Sequence, residues 1–144
     1  MKKTIGKKFF AKRQARKVVF SALYATLITG TSIEVKALSD VSKQFEDIDL
    51  DYARLILQVY IQRTEAINAL IDEFAQHSKR GGNTDVERAI LQMAVAEMYA
   101  SDIENRIVIN EAIEIAKEYG SDDGYKFINA VLDKIAKKIS GVDD

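Results

Sequence analysis

Residues 84–98 read Thr84-Asp85-Val86-Glu87-Arg88-Ala89-Ile90-Leu91-Gln92-Met93-Ala94-Val95-Ala96-Glu97-Met98, and they open on a helix-start signature. In Thr84-x-x-Glu87 each side chain can satisfy a backbone N–H that the first helical turn leaves orphaned, the reciprocal arrangement of a capping box. Ile90, Leu91, Ala94, Val95 and Met98 then recur at helical spacing, to about Ala100. Immediately before the cap, Ser78-Lys79-Arg80-Gly81-Gly82-Asn83 is the strongest internal boundary of the chain.

Downstream, a polar turn around Asp102 to Asn105 leads to a helix carrying Ile109, Ala112, Ile113 and Ala116, with Gly120 placed as its C′ residue. Ser121-Asp122-Asp123 can cap the last helix, whose stripe of Ile128, Val131, Leu132, Ile135 and Ile139 is the cleanest in the sequence. Upstream, Ala15, Val19, Ala22, Leu23, Thr26 and Leu27 mark a helix from about Lys12 to Thr29, ended by Gly30. Ser32 is expected to cap a shorter helix bearing Val35, Leu38, Val41 and Phe45. The acidic run Asp47 to Asp51 then supplies turn and N-cap chemistry. A long helix follows from Tyr52 to His77 on Leu55, Ile56, Val59, Ala66, Leu70, Ile71 and Phe74, with a bend expected where Arg63 interrupts the stripe. No segment alternates as a strand. The reading is all-α: six or seven helices in two packed subdomains, 12–80 and 84–140, preceded by a flexible basic tail over 1–11.

Composition agrees. The 144 residues include no proline to break a helix and no cysteine, which removes disulfides, thiolate metal sites and cysteine nucleophiles and suits a cytoplasmic location. The apolar run from Val18 to Ile28 follows positive charge, as in a secretory signal. It is diluted by Ser21, Tyr24 and Thr26 and lacks a prompt cleavage site, so it is not read as one. Catalytic patterns are absent: no phosphate-cradling glycine loop, no nucleophile elbow, no H-E-x-x-H helix. His77 reads as an exposed polar residue. Glu111 and Glu114, three apart, could suit a metal but read as solvated helix surface. No enzyme, cofactor or metal site is expected.

Charge is unevenly spread. Residues 1–17 carry eight basic side chains and no acidic one, whereas the remainder has thirteen basic against twenty-two acidic groups. Lys8 with Lys12, Lys12 with Arg16 and Arg13 with Lys17 are like charges at i,i+4, and each pair costs a helix a few tenths of a kcal/mol. Cations at a helix N-terminus also oppose its dipole. A polyanion would offset both, and Phe9, Phe10 and Tyr24 offer stacking surfaces nearby, although Phe10 and Tyr24 suit a core equally well. The arm therefore points to nucleic acid. In the segment from Asp122 to Phe127 the local reading is a helix cap followed by a core phenylalanine.

Several of these strings resemble one family. Ala15-Arg16…Ala22-Leu23-Tyr24 is similar to the start of the NusB family. Arg88-Ala89-Ile90-Leu91, Ile109-Asn110-Glu111-Ala112-Ile113-Glu114-Ile115-Ala116-Lys117, Gly120 and Lys126-Phe127-Ile128-Asn129-Ala130-Val131-Leu132-Asp133-Lys134 follow in that family's order and spacing. The resemblance implies a bacterial transcription antitermination factor of two helical subdomains. Such a factor pairs with a small ribosomal subunit protein, NusE, on boxA RNA and joins elongating RNA polymerase during ribosomal RNA transcription. Carried over, it implies that Lys12, Arg13, Arg16 and Tyr24 face RNA, that Asp123 and Phe127 border the same surface, and that Glu87 lies on the partner-protein face. The chain departs from the family pattern at Ser21, Gly124 and Ala130, where glutamine, serine and glycine are usual. Replacing Arg13 and Arg16 by alanine is then expected to weaken RNA binding without unfolding the chain. Two other readings fit the same helices: an adaptor of this fold that has lost RNA recognition, and a detached accessory domain of an RNA-modifying methyltransferase.

Overall fold

The apolar spacings produce seven α-helices and no strand among the described residues: α1 (Lys2–Thr29), α2 (Ala37–Ser42), α3 (Leu50–Gln62), α4 (Thr64–Gln76), α5 (Asp85–Ala100), α6 (Asn105–Tyr119) and α7 (Gly124–Ile139). The structure is a computed structural model that describes residues 2–76 and 82–141, with side chains from Gly6 onward. His77 and most of the boundary from Ser78 to Asn83 lie outside the described residues. None of the described helices is long and apolar enough to cross a membrane.

Helix α5 is the hub, packing against α1, α3, α4, α6 and α7. Its sequence leads one to expect an apolar stripe, yet every residue from Ala89 to Met98 is buried. A helix surrounded on all sides has no solvent face, so Gln92 and Glu97 must find polar partners inside. The buried side chains of all the helices form one continuous hydrophobic cluster, shared between segments 12–80 and 84–140.

The helix ends follow local chemistry. Thr84 Oγ1 accepts the Glu87 N–H at 3.2 Å and Glu87 Oε1 accepts the Thr84 N–H at 2.9 Å, completing the capping box. Asp49 caps α3 by accepting the Tyr52 N–H at 3.0 Å. Arg63 separates α3 from α4 at φ −118°, its guanidinium 4.5 Å from the centre of the Tyr99 ring. Gly30 ends α1 at φ +72°, the left-handed region glycine enters freely.

Other expectations are corrected. Helix α1 begins at Lys2, so residues 2–11, expected as a tail, are helical. The Asp49 N–H donates to the Ala11 carbonyl at 3.1 Å, tying the α2–α3 turn to this segment. Ser32 caps nothing; α2 starts from Lys36 without a side-chain cap. Asp123 precedes α7 with no side-chain cap bond. Gly120 has φ −95°, so its need for glycine is steric: a Cβ there would sit 2.7 Å from the Ala116 carbonyl oxygen. Leu55 is exposed, while Tyr52, Ala53 and Leu57 join Ile56 inside. In α6 the buried face is Val108, Glu111, Ala112, Ile115 and Ala116, which rotates the expected stripe and brings a glutamate inside.

Candidate nucleic-acid interface

The basic stretch of α1 lies against acidic residues of α5 and α6, and this decides which cations remain free. Arg16 is 1% exposed. Its Nε donates to Glu97 Oε1 at 2.8 Å and Oε2 at 3.0 Å, and its Nη2 donates to Glu97 Oε2 at 2.7 Å. Nη1 reaches Glu111 Oε1 at 3.3 Å. The Tyr52 hydroxyl donates to Glu97 Oε2 from the other side. Burial acts to lower the Arg16 pKa, but hydrogen bonds and charge from Glu97 outweigh it, so the guanidinium is held above its ordinary value. Tyr52 is pushed well up, first by burial and then by the charge of Glu97.

Arg13 lies one turn nearer the N-terminus and stands at the rim of this network. Its Nε and Nη2 donate to Glu111 Oε1 and Oε2, both at 2.9 Å, and its side chain remains 39% exposed. The bond to Glu111 is the main cause holding its pKa above the ordinary arginine value. Its other side faces the Phe9 ring, with 5.3 Å from guanidinium carbon to ring centre. Lys12 is half-buried, with Nζ 5.4 Å from the Tyr52 ring centre. Lys17 pairs with Glu118 at 2.9 Å. Lys7 and Lys8 are exposed and have no ion pair among the described residues.

The like-charge cost anticipated for α1 is thus met largely from within the protein. Arg16, expected to face RNA, instead cross-links α1, α5 and α6, and at 1% exposure its guanidinium is out of reach of a phosphate. An alanine in its place is therefore expected to destabilise the fold. Glu111, expected as solvated surface, is 5% exposed and shared by two arginines. Tyr52, Glu97 and Glu118 had drawn no attention as site residues. A signal for Glu97 existed, since a carboxylate inside an apolar run must have a buried cation to remain charged.

The other expected residues gather elsewhere. Tyr24 is half-buried and stacks on Phe20, ring centres 6.1 Å apart, while Phe20 meets Tyr119 at 5.2 Å. This connects α1 to the end of α6. Lys117 lies 5.1 Å from the centre of the Tyr125 ring, joining that end to the start of α7. Asp123 is exposed there, within 3.6 Å of Lys126 Nζ, and Phe127 is buried. Glu87 is 1% exposed and occupied by its cap. A Cβ on Gly124 would come within 2.8 Å of Glu87 Oε2, so the starts of α5 and α7 abut and this departure from serine leaves room for the carboxylate. Phe9 and Phe10 are 47% and 44% exposed, which removes Phe10 from the core. No group of three acidic or histidine side chains able to hold a metal occurs among the described residues.

Comparison with known proteins places this arrangement. The NusB family profile matches residues 13–137. The chain is 36% identical over 144 residues to the transcription antitermination protein NusB of Mannheimia succiniciproducens, covering 97% of this chain and 99% of the relative. It is 39% identical over 127 residues to the corresponding protein of Haemophilus ducreyi, covering 87% and 92%. Among solved structures, T. maritima NusB superimposes with a TM-score of 0.75 at 30% identity, covering 88% of this chain and 90% of that one. A chain in the crystal structure of a plectonemic RNA supercoil shares the fold at a TM-score of 0.77 and 24% identity, covering 89% and 95%.

Proposed function

The chain belongs to the NusB family, a non-enzymatic family of transcription antitermination factors, and from that premise we propose that it binds boxA-like single-stranded RNA together with NusE. The resulting complex joins elongating RNA polymerase during ribosomal RNA transcription in the cytoplasm. One observation carries this reading. Lys7, Lys8 and Lys12 on α1 have no ion pair among the described residues, and Arg13 beside them is partly exposed. Cations clustered on one helix without carboxylate partners suit a phosphate backbone, which contributes most of the sequence-independent affinity for nucleic acid. The family resemblance adds Tyr24, Asp123 and Phe127 to the RNA contact, at the far end of α1 where α6 meets α7. Glu87 contributes by fixing the start of α5, on which the partner-protein face is built.

A second reading, a protein-binding adaptor without RNA recognition, is favoured by the fact that Arg13, Arg16 and Lys17 already serve internal carboxylates. RNA anisotropy titrations with and without NusE separate the two. The proposal expects tighter binding of a boxA-like RNA than of a scrambled one when NusE is present. Equal affinity for both RNAs counts against boxA recognition, and association with NusE without RNA retention supports the adaptor instead.

A further inference from the structure

The N-terminal half of α1 faces the turn that leads into α3. Between them lies an open cavity of about 530 Å³ lined by Gly6, Lys7, Phe10 and Ala11 on the helix and by Asp47 and Ile48 on the turn. The turn is pinned from both sides. Its Asp49 N–H donates to the Ala11 carbonyl at 3.1 Å, and Gln14 Nε2 donates to the Glu46 carbonyl at 3.3 Å. Between these pins Asp47 sits at φ +54°, in the left-handed region that few residues other than glycine, asparagine and aspartate adopt. A strained residue held in place at the wall of a cavity is a common mark of a binding site.

The chemistry of the walls selects an occupant. Phe10 is 44% exposed and offers an aromatic surface at the edge of the cavity. Lys7 also lines it and brings cationic charge to the site. The Asp47 side chain is exposed and has no hydrogen bond or ion pair among the described residues. A carboxylate at the wall repels a phosphate and asks for N–H donors. An aromatic surface, a carboxylate acceptor and a cation together describe a nucleotide whose base enters the cavity while its phosphate stays at the rim.

We infer that this cavity is a subsite for one unstacked RNA base, and that guanine is preferred. Guanine presents two adjacent donors, N1–H and the 2-amino group, to the two oxygens of a carboxylate. Uracil presents a single N–H flanked by two carbonyl oxygens, which the carboxylate repels. The inference rests on the RNA-binding reading above and adds a base-specific contact to it. Phe10 supplies stacking and Asp47 supplies the choice of base.

The test uses the full chain and fluorescein-labelled oligouridine 12-mers, unsubstituted or with one central guanosine, followed by fluorescence anisotropy. Phe10→Ala is expected to weaken binding of the guanosine-containing oligomer roughly five- to 150-fold, the range for loss of one stacked base. Phe10→Tyr should restore it, and the salt dependence should stay unchanged because no phosphate contact is lost. Asp47→Asn keeps a residue that tolerates the left-handed backbone and should abolish the preference for guanosine. Circular dichroism of each variant should match the unaltered chain, since Phe10 and Asp47 are exposed. Unchanged RNA affinity in Phe10→Ala overturns the subsite and leaves the α1 cations as the RNA contact, as does an equal loss in Phe10→Tyr. Unchanged RNA affinity with loss of NusE binding makes the face a protein-docking surface and likewise overturns it. If the unaltered chain binds neither oligomer at low salt, alone or with NusE, the RNA-binding reading itself falls with it.

Discussion

Arg16 and Arg13 stand three residues apart on one helix, yet their surroundings give them different work. Arg16 is enclosed, with Glu97, Glu111 and Tyr52 around it. Removing one partner of a buried ion pair leaves the other charged and desolvated, at a cost of about 3–5 kcal/mol. Arg16→Ala should therefore lower the urea midpoint sharply, whereas Arg13→Ala, which removes a partly exposed side chain and leaves Glu111 its contact with Arg16, should lower it less and weaken RNA binding. Lysine at position 16 should not substitute, because it lacks the planar fork that meets both carboxylates. Tyr52 adds a pH dependence whose sign follows from its raised pKa. Its contribution is fully present below the unfolded value near 10 and is lost as pH rises above that toward the raised folded value. Stability should accordingly fall more steeply above pH 10 in the unaltered chain than in Tyr52→Phe, as measured by urea denaturation across that range.

At the scale of elements, close backbone approach governs the joint between α6 and α7. Gly120→Ala places a Cβ 2.7 Å from the Ala116 carbonyl oxygen, and relieving that contact by a backbone shift should cost about 1–3 kcal/mol. The melting temperature should drop with little change in helix content. These elements also show what a one-dimensional pattern can reveal. The Thr84–Glu87 box, the break at Arg63 and the stripe of α7 are local, set by residues within a turn or two of one another, and all three were legible. The faces of α5 and α6 were not, because they are chosen by helices distant in sequence. Glu111 turns inward only because Arg13 and Arg16, nearly a hundred residues away, are there to meet it. The same interplay explains the middle of α1, where Arg13, Arg16 and Lys17 stand. Its repelling cations look unfit for a helix until the carboxylates of α5 and α6 are placed beside them.

For the whole molecule, the uneven charge resolves into two parts. Arg13, Arg16 and Lys17 hold α1 against the acidic body, and Lys7, Lys8 and Lys12 remain without carboxylate partners among the described residues. A basic N-terminal stretch was visible in the sequence; its division between internal ion pairs and a free surface required the fold. The family assignment was equally visible, since its strings lie in α1, α5, α6 and α7, the hub and three helices packed on it. If the free cations of α1, with Arg13, neutralise RNA phosphates while Arg16 holds the fold together, affinity for RNA must fall with salt. The most direct measurement is the salt dependence of affinity for single-stranded RNA, compared between the unaltered chain and the Lys8→Ala, Lys12→Ala double variant. With about four phosphates neutralised, the slope of log K against log salt should be near −3, and the double variant should flatten it by about 1.4. A slope near zero, or one unchanged in the variant, would show that these cations make no phosphate contact.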